Sequence, residues 1–170
     1  MKRSILILVC CLVAMSSCKK SGIDAFRGDY TFKCSGEVFL QRDTSGESNV
    51  IPATFDYTLP NEIGQLEIRT LDNKENTVVV VMNYMNGEVI VTKGTCDGQE
   101  IILEEFQRNA LKVSIYSYIS TNCVVNVNAT GHIYDDSTIV LDMVYDGTAT
   151  IADLNYRLRG NNVQLVASRN

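Results

Sequence analysis

Few residues in this sequence have the types and spacing that catalysis requires. The only histidine is His132, and a hydrolase triad would need it beside a nucleophile and an acid. No Gly-x-Ser-x-Gly or comparable nucleophile motif occurs. Glu104 and Glu105 offer half of a glycosidase acid pair, with Asp135 or Asp142 as the other half, but adjacent strand residues point to opposite faces. The sequence therefore predicts a protein that is not an enzyme.

Patterns for metal binding are weak as well. Zinc sites use closely spaced cysteines and histidines, and the chain has no Cys-x-x-Cys pair. The segment 72–76 is rich in oxygen ligands, as calcium loops are, but Lys74 stands where a ligand is expected, and the glycine and the final glutamate are absent. We expect an ordinary hairpin tip at this segment, with no metal and no cofactor.

The residue with the clearest chemistry is Cys18. Lys2 and Arg3 precede an apolar run, Ile5 to Val13, and two serines stand directly before the cysteine. A basic start, a short apolar core and small residues are typical of a secretory signal, and the run is too short for a spanning helix, which needs about 20 apolar residues. The segment resembles a bacterial lipobox, which implies that cleavage makes Cys18 the lipidated first residue of the mature chain.

The lipobox divides the chain into three parts: a lipoprotein signal peptide at residues 1–17, a lipidated tether at 18–25, and a single domain at 26–170. Cleavage removes two basic residues and no acids, so the net charge changes from −5 to −7, which argues against nucleic-acid partners. Lys19, rather than an acid, follows Cys18, as in lipoproteins destined for the outer membrane. We expect a cell-envelope protein that is attached to the membrane through Cys18 and faces the periplasm.

Three cysteines, Cys34, Cys96 and Cys123, remain besides the lipidated one after processing. One disulfide in an oxidising compartment has three possible pairings. Three unreactive thiols are also compatible with the sequence, because cysteine is among the residues most often buried. The sequence leaves both alternatives open.

The mature domain has the pattern of β-strands throughout. Apolar and polar residues alternate with many β-branched and aromatic side chains, for example in 30–34 and 137–145. Tight turns are predicted at Asn86-Gly87, as a two-residue type I′ hairpin, and at Asp97-Gly98, Asp135-Asp136 and Gly160-Asn161-Asn162. This pattern predicts an all-β fold, an antiparallel up-and-down barrel or alternatively a β-sandwich. We expect the barrel, since each hairpin offers one apolar face and one mixed face.

Gly28-Asp29-Tyr30 opens the first strand and resembles the Gly-x-Trp start of lipocalins and their calycin relatives. With the lipobox and the run from Gly87 to Gly94, the pattern resembles small lipocalin-like (calycin-like) lipoproteins of Gram-negative gut anaerobes. The resemblance implies a calycin-like barrel in which Tyr30 replaces the usual tryptophan. It also implies a late basic residue against that aromatic ring, for which Arg157 and Arg159 are the candidates, although we expect either arginine to be solvated rather than stacked.

Six residues on the apolar phases of their strands are candidates for ligand contact: Phe55, Tyr57, Met82, Tyr84, Met143 and Tyr145. Small-molecule pockets are typically apolar with a few polar groups, such as tyrosine hydroxyls. We therefore expect a small apolar or amphipathic ligand inside the barrel. The same residues would equally fill the core of a small barrel. The protein would then be a non-enzymatic module that contacts another envelope protein or a glycan.

Overall fold

A computed structural model describes residues 22–46, 51–71, 75–115 and 119–170, so the predicted signal peptide and Cys18 lie outside the described residues. One short helix, α1 (Ile23–Phe26), precedes nine strands. The strands are β1 (Gly28–Arg42), β2 (Thr54–Thr70), β3 (Thr77–Tyr84), β4 (Val89–Asp97), β5 (Glu100–Leu103), β6 (Phe106–Ile115), β7 (Ile119–Asp135), β8 (Thr138–Ile151) and β9 (Leu154–Arg169). In the described ranges, no helix has the length and apolar character needed to cross a membrane.

The strands follow one another around a ring. Hydrogen-bonded neighbours run in the order β5-β4-β3-β2-β1-β9-β8-β7-β6, all antiparallel. A further pairing of β5 with β7, in which Ile101 lies opposite Gly131, closes the sheet on itself. The prediction of an all-β, antiparallel, up-and-down fold is therefore confirmed, with the ring-like closure of a barrel.

Strand alternation decides which side chains enter the ring. Along β4, exposed and buried residues alternate at every position from Val89 to Asp97. The buried residues of all nine strands form one apolar cluster, which includes Leu66, Val80, Val127 and Leu165. Each fully buried aliphatic side chain contributes about 1.5–3 kcal/mol relative to exposure to water. The hydrophobic effect therefore acts on one shared interior.

Helix α1 covers one end of the ring, which we call the lower end. Phe26 is fully buried there, and the Tyr30 hydroxyl donates a hydrogen bond to the Phe26 carbonyl at 2.6 Å. The Gly22 N–H donates to the Gly98 carbonyl at 2.8 Å. The folded domain therefore includes residues 22–25, which the sequence pattern assigned to the tether, because the apolar side chains of α1 pack against the ring.

The basic residue that meets Tyr30 is Arg169. Its guanidinium carbon lies 5.3 Å from the centre of the Tyr30 ring, and its Nη2 donates to the Tyr30 hydroxyl at 2.7 Å. Arg157 and Arg159, the candidates from the sequence, do not stack on this ring and are solvated, which is the alternative that we expected for them. Those two residues are exposed on the upper half of β9, where both approach Asp146, whereas the β1–β9 register sets Arg169 directly opposite Tyr30.

The ring is complete only in its lower part. β2 extends beyond the β3–β4 hairpin, because Tyr84, the last residue of β3, lies opposite Gly64. β4 pairs with β5, and one further backbone bond joins the Glu104 N–H to the Lys93 carbonyl at 2.8 Å. From that bond towards the upper end of the ring, β4 and β6 share no backbone ladder, and β6 pairs with β7 instead. We call this gap between β6 and its neighbours β4 and β2 the seam.

Asn86 and Gly87 lie at a hairpin tip as predicted, but the loop has three residues rather than two. The Tyr84 N–H donates to the Glu88 carbonyl at 2.9 Å, and the Gly87 N–H donates to the Tyr84 carbonyl at 3.0 Å. Gly87 has a φ of +90°, whereas Asn86 is not in the positive-φ region. Asn86 instead accepts a side-chain hydrogen bond from the Glu88 N–H at 2.9 Å. The type I′ prediction is therefore wrong, and a type I turn followed by a glycine bulge takes its place.

The predicted turn at Gly160-Asn161-Asn162 is also wrong. These residues lie inside β9, where its pairing with β8 shifts between Met143 and Tyr145. The β8–β9 turn is formed by Ala152 and Asp153, whose φ values are +50° and +63°. Neither residue is a glycine, so residue type did not mark this turn. The tight turns at Asp97-Gly98 and Asp135-Asp136 are confirmed.

We predict that Gly87→Ala lowers the free energy of unfolding by about 1–3 kcal/mol, because a residue with a Cβ is strained at positive φ. No atom lies within 4 Å of the position that this Cβ would take, so backbone strain rather than a clash is tested. Urea unfolding followed by circular dichroism measures the loss. The control Asn83→Ala, exposed on β3, should change stability by less than about 0.5 kcal/mol. Equal stabilities of the parent and Gly87→Ala would contradict this turn geometry.

Candidate functional site

A charged cluster lies inside the ring at the seam, around Arg108 of β6. Arg108 is fully buried, which is rare for arginine unless the charge is paired. Its Nη1 and Nη2 each donate to the Glu62 carboxylate at 2.9 Å, and its Nε and Nη2 donate to Glu88 Oε2 at 3.0 and 2.8 Å. Nη1 also donates to the Tyr145 hydroxyl at 3.1 Å. All five N–H donors of the guanidinium therefore have an acceptor.

Two tyrosines complete the surroundings of this guanidinium. The Arg108 guanidinium carbon lies 4.0 Å from the centre of the Tyr84 ring, a cation–π geometry. The Tyr84 ring also contacts the Phe32 ring edge-on, with the two ring centroids 4.9 Å apart. Tyr145 contacts Arg108 through its hydroxyl, which lies 4.0 Å from the Cys34 sulfur. The cluster thus combines acceptors in the plane of the guanidinium with an aromatic ring on its face.

Burial and the contacts within the cluster together set the protonation states of its side chains. Burial alone would lower the pKa of the Arg108 guanidinium, but its hydrogen bonds to Glu62 and its other close neighbours hold that pKa above the usual value. Burial also raises the pKa of the Tyr84 and Tyr145 hydroxyls, and it raises the pKa of the Cys34 thiol to about 11. At neutral pH the cluster therefore holds a permanent cation but neither a thiolate nor a phenolate. This arrangement supports ion pairing rather than nucleophilic chemistry.

The two glutamates connect strands that lack a backbone ladder. Glu88, just before β4, accepts hydrogen bonds at Oε1 from the backbone N–H groups of Asn109 and Ala110, at 2.7 and 3.0 Å. Its other oxygen pairs with Arg108, while Glu62 reaches Arg108 from β2. The β6–β7 register shifts between Arg108 and Leu111, at the residues that bind Glu88. Side chains therefore close the ring at the seam, where backbone pairing has ended.

We predict that Arg108→Met lowers the free energy of unfolding by about 3–5 kcal/mol, because two carboxylates lose their buried cation. Adding Glu62→Gln and Glu88→Gln to this variant should restore part of the loss, since neutral amides cost less to bury than charges. The control Arg157→Met removes an exposed ion pair and should cost at most about 1 kcal/mol. Denaturant titration measures all three variants, and similar losses in Arg108→Met and Arg157→Met would contradict the role of the cluster.

The six residues predicted to contact a ligand fall into two groups. Met82, Met143, Tyr145 and Tyr84 lie inside the ring with exposed fractions of 0, 1, 1 and 4%. Phe55 and Tyr57 are half-buried on the upper part of β2 and pack against the core. The Phe55 ring centre lies 6.1 Å from that of Tyr156. Arg108 brings Tyr84 and Tyr145 together, whereas Phe55 and Tyr57 lie towards the upper end.

Side chains fill the middle of the ring. A space large enough for a ligand would leave the side chains around it accessible, yet the inward-facing Val80, Val127 and Leu165 are also fully buried. Protein interiors packed in this way have few voids larger than a water molecule. In the part of the ring that the structure describes, Met82 and Met143 therefore act as core residues.

An open recess, which we call the upper groove, lies on the outer surface of β8 and β9 towards the upper end. It has a volume of about 920 Å³. Its lining residues are Gln41, Arg42, Asp43, Thr44, Ser45, Pro52, Asn126, Asp146, Gly147, Thr148, Thr150, Asn155, Tyr156 and Arg157. Most of them are polar, and two acids and two arginines balance in charge.

The polar groups of the upper groove form local pairs at its surface. Arg157 Nη2 lies 3.3 Å from Asp146 Oδ2, and both side chains are more than half exposed. The Thr150 hydroxyl donates to Asn155 Oδ1 at 3.0 Å. Hydrogen bonds from the Ser45 hydroxyl and backbone N–H lower the pKa of Asp43 below its usual value. The groove can therefore offer hydrogen-bond donors and acceptors side by side.

Three cysteines lie among the residues that the structure describes, and all three are free and buried. Burial raises the pKa of the Cys34, Cys96 and Cys123 thiols to about 11 in each case. Of the two alternatives that the sequence left open, the structure therefore has three buried thiols rather than a disulfide.

Of the remaining candidates from the sequence, His132 and Asp142 line one surface recess, whereas Glu104, Glu105 and Asp135 lie outside its lining. His132 is exposed on β7 opposite Glu100, and Glu104 and Glu105 are exposed between β5 and β6. Asp135 accepts hydrogen bonds from Ser137 in a turn. The calcium-like segment 72–76 lies in part outside the described residues. Among those that are described, no group of three His, Cys, Asp or Glu residues could hold a metal ion.

Sequence reasoning missed the Arg108 cluster, although a signal for it exists. Arg108 shares its strand phase with the buried Phe106, Glu62 shares its phase with the buried Leu66, and Glu88 shares its phase with the buried Ile90. Three charged residues thus occupy inward positions of three strands. A pattern of that kind indicates a buried ion-pair network.

No protein-family model matches the chain, and no curated protein matches its sequence. Function must therefore be inferred from the chemistry of the chain itself.

Proposed function

We propose that this chain is a lipid-anchored cell-envelope protein that binds a neutral, hydroxyl-rich ligand, such as a glycan, in the upper groove. The observation that carries the proposal is the contrast between a ring interior filled by side chains and an open polar recess outside it. Binding then takes place on the surface of the ring, which serves as a rigid scaffold. The proposed role is recognition rather than catalysis.

The composition of the groove supports this class of ligand. Hydroxyls of Thr148 and Thr150 and amides of Gln41, Asn126 and Asn155 line it, and each amide both donates and accepts hydrogen bonds. Asp146 and Arg157 neutralise each other, so the groove has no excess charge that would favour an anion or a cation. A ligand with many hydroxyl groups matches such a surface.

The anchor rests on the lipobox at Cys18 and on the position of the first described residues. Gly22 lies at the lower end, and the upper groove lies towards the opposite end of the strands. An outer-membrane lipoprotein held by Cys18 and facing the periplasm would present the groove away from its attachment point. The contact of Arg169 with Tyr30 supports a calycin-like barrel as the scaffold.

We predict that Cys18→Ala releases the protein from the membrane fraction or leaves it unprocessed, because the lipid chains attached to this cysteine provide the membrane affinity. Membrane fractionation and metabolic labelling with a fatty acid measure the effect. The control Cys34→Ala, which alters a buried thiol of the domain, should keep both membrane association and label. Unchanged labelling of Cys18→Ala would disprove the lipobox.

We predict that Arg157→Ala and Thr148→Ala reduce the affinity for a glycan several-fold without unfolding the protein, since both residues are in the wall of the upper groove. Glycan-array binding of the parent identifies the probe, and calorimetry with that glycan measures each variant. Arg69→Ala is the matched control, because Arg69 is also an exposed arginine paired with an acid, but on β2. No glycan binding by the folded parent would overturn the proposal.

The second candidate function is binding of a small apolar or amphipathic ligand at the upper end of the ring. It is favoured by Phe55 and Tyr57, which are half-buried there near Tyr156. Met82, Tyr84, Met143 and Tyr145 would contact such a ligand only if the packed core opened. Binding of an apolar fluorescent dye by a parent that binds no glycan would favour this candidate.

A further inference from the structure

Hydrophobic side chains lie exposed together on the outer surface of β2 to β5. Met85, Val91, Val89, Ile102 and Ile63 have exposed fractions of 76, 65, 58, 57 and 47%. Ile63, Met85, Val89 and Val91 lie around the β3–β4 hairpin. Ile102 lies opposite Thr95, nearer the lower end of β4 and beyond Lys93. We call these five residues the outer apolar face. Large contiguous apolar patches are rare on soluble monomers and mark surfaces that contact a partner or a membrane.

A recess at the seam adjoins the outer apolar face. This recess of about 510 Å³ lies where β4 and β6 diverge, and its lining combines Val79, Val89, Val91 and Phe106 with the charged Lys93, Glu104 and Glu105. Val91 lies opposite Val81 in the β3–β4 register, so the apolar surface continues onto β3. The recess and the exposed valines therefore form one surface on the β3–β4 side of the ring.

The N-terminal segment of the chain meets the domain at the lower end of β4. The Gly22 N–H donates to the Gly98 carbonyl, and Gly98 directly follows the last residue of β4. Residues 19–21 separate Gly22 from the lipidation site, and the four steps from residue 18 to residue 22 span at most about 14 Å. A lipid on Cys18 would therefore hold the lower end of β4 close to the bilayer.

We propose that the outer apolar face lies against the lipid bilayer, an inference that rests on the proposed lipidation of Cys18. Apolar side chains at the boundary between headgroups and acyl chains add their burial to the affinity of the anchor. Lys93, exposed on the same face of β4, can lay its methylene groups along this boundary while its ammonium reaches the headgroups. The protein thus rests on its β3–β4 side, and the upper groove, on the β8–β9 side of the ring, points away from the membrane.

The test uses the full processed lipoprotein reconstituted into vesicles of phosphatidylcholine and phosphatidylethanolamine. Val91→Cys is labelled with an environment-sensitive fluorophore, and nitroxide-bearing lipids serve as quenchers. Val166→Cys is the matched control, because Val166 is 40% exposed on β9, across the ring from β4. The three native thiols of the domain are buried and should not take up the label. We expect quenching at position 91 to exceed that at position 166 several-fold.

The outcomes separate the docking from the anchor. Equal quenching at both positions in vesicle-bound protein overturns the docking and leaves the anchor intact. A blue-shifted but unquenched label at position 91 means that a second copy of the chain covers the face, and this also overturns the docking. Failure of the parent to float with vesicles overturns both the anchor and the docking.

Discussion

The ring of strands depends on the pairing of Arg108 with Glu62 and Glu88. A buried guanidinium is tolerated only when its charge and all its donors are satisfied. Here they are satisfied by Glu62 of β2, by Glu88 just before β4 and by Tyr145 of β8. The short β3–β4 hairpin leaves one edge of β2 and one edge of β6 without a backbone partner at this height, although β2 still pairs with β1 and β6 with β7. Glu88 therefore replaces the missing backbone ladder by accepting two backbone N–H groups of β6.

The cluster also explains why two of the candidate ligand residues are core residues. Tyr84 covers the face of the guanidinium, and Tyr145 accepts one of its hydrogen bonds. Both side chains are thereby fixed in place, and with Met82 and Met143 they fill the middle of the ring. In the proposed function, recognition therefore takes place on the outer surface, where side chains can meet a ligand without the cost of opening a packed core.

Two sides of the outer surface differ in the polarity of their exposed residues. The β3–β4 side carries Met85, Val89 and Val91, which are each more than half exposed. The β8–β9 side carries the polar upper groove together with less exposed aliphatic residues such as Val144 and Val166. Between them, α1 and the contact of Arg169 with Tyr30 cover the lower end, where the chain enters the domain beside Gly98. With the proposed anchor, one side of the ring would face lipid and another would stay open to a polar ligand, and the closed ring would hold the two apart.

Sequence alone determined the fold class, because period-two alternation reports directly which side of a strand faces the core. It located the β3–β4 hairpin through Asn86 and Gly87, since glycine is required at positive φ, but the loop type depended on the Asn86–Glu88 hydrogen bond. Only tertiary structure decided that Arg108, Glu62 and Glu88 meet, because they are far apart in sequence and local patterns carry no information on which strands converge. The choice of Arg169 over Arg157 or Arg159 followed from the β1–β9 register, which is set by packing across the whole ring. The tertiary structure likewise decided that Met82 and Met143 fill the core, since alternation gives the direction of a side chain but not the space that remains around it.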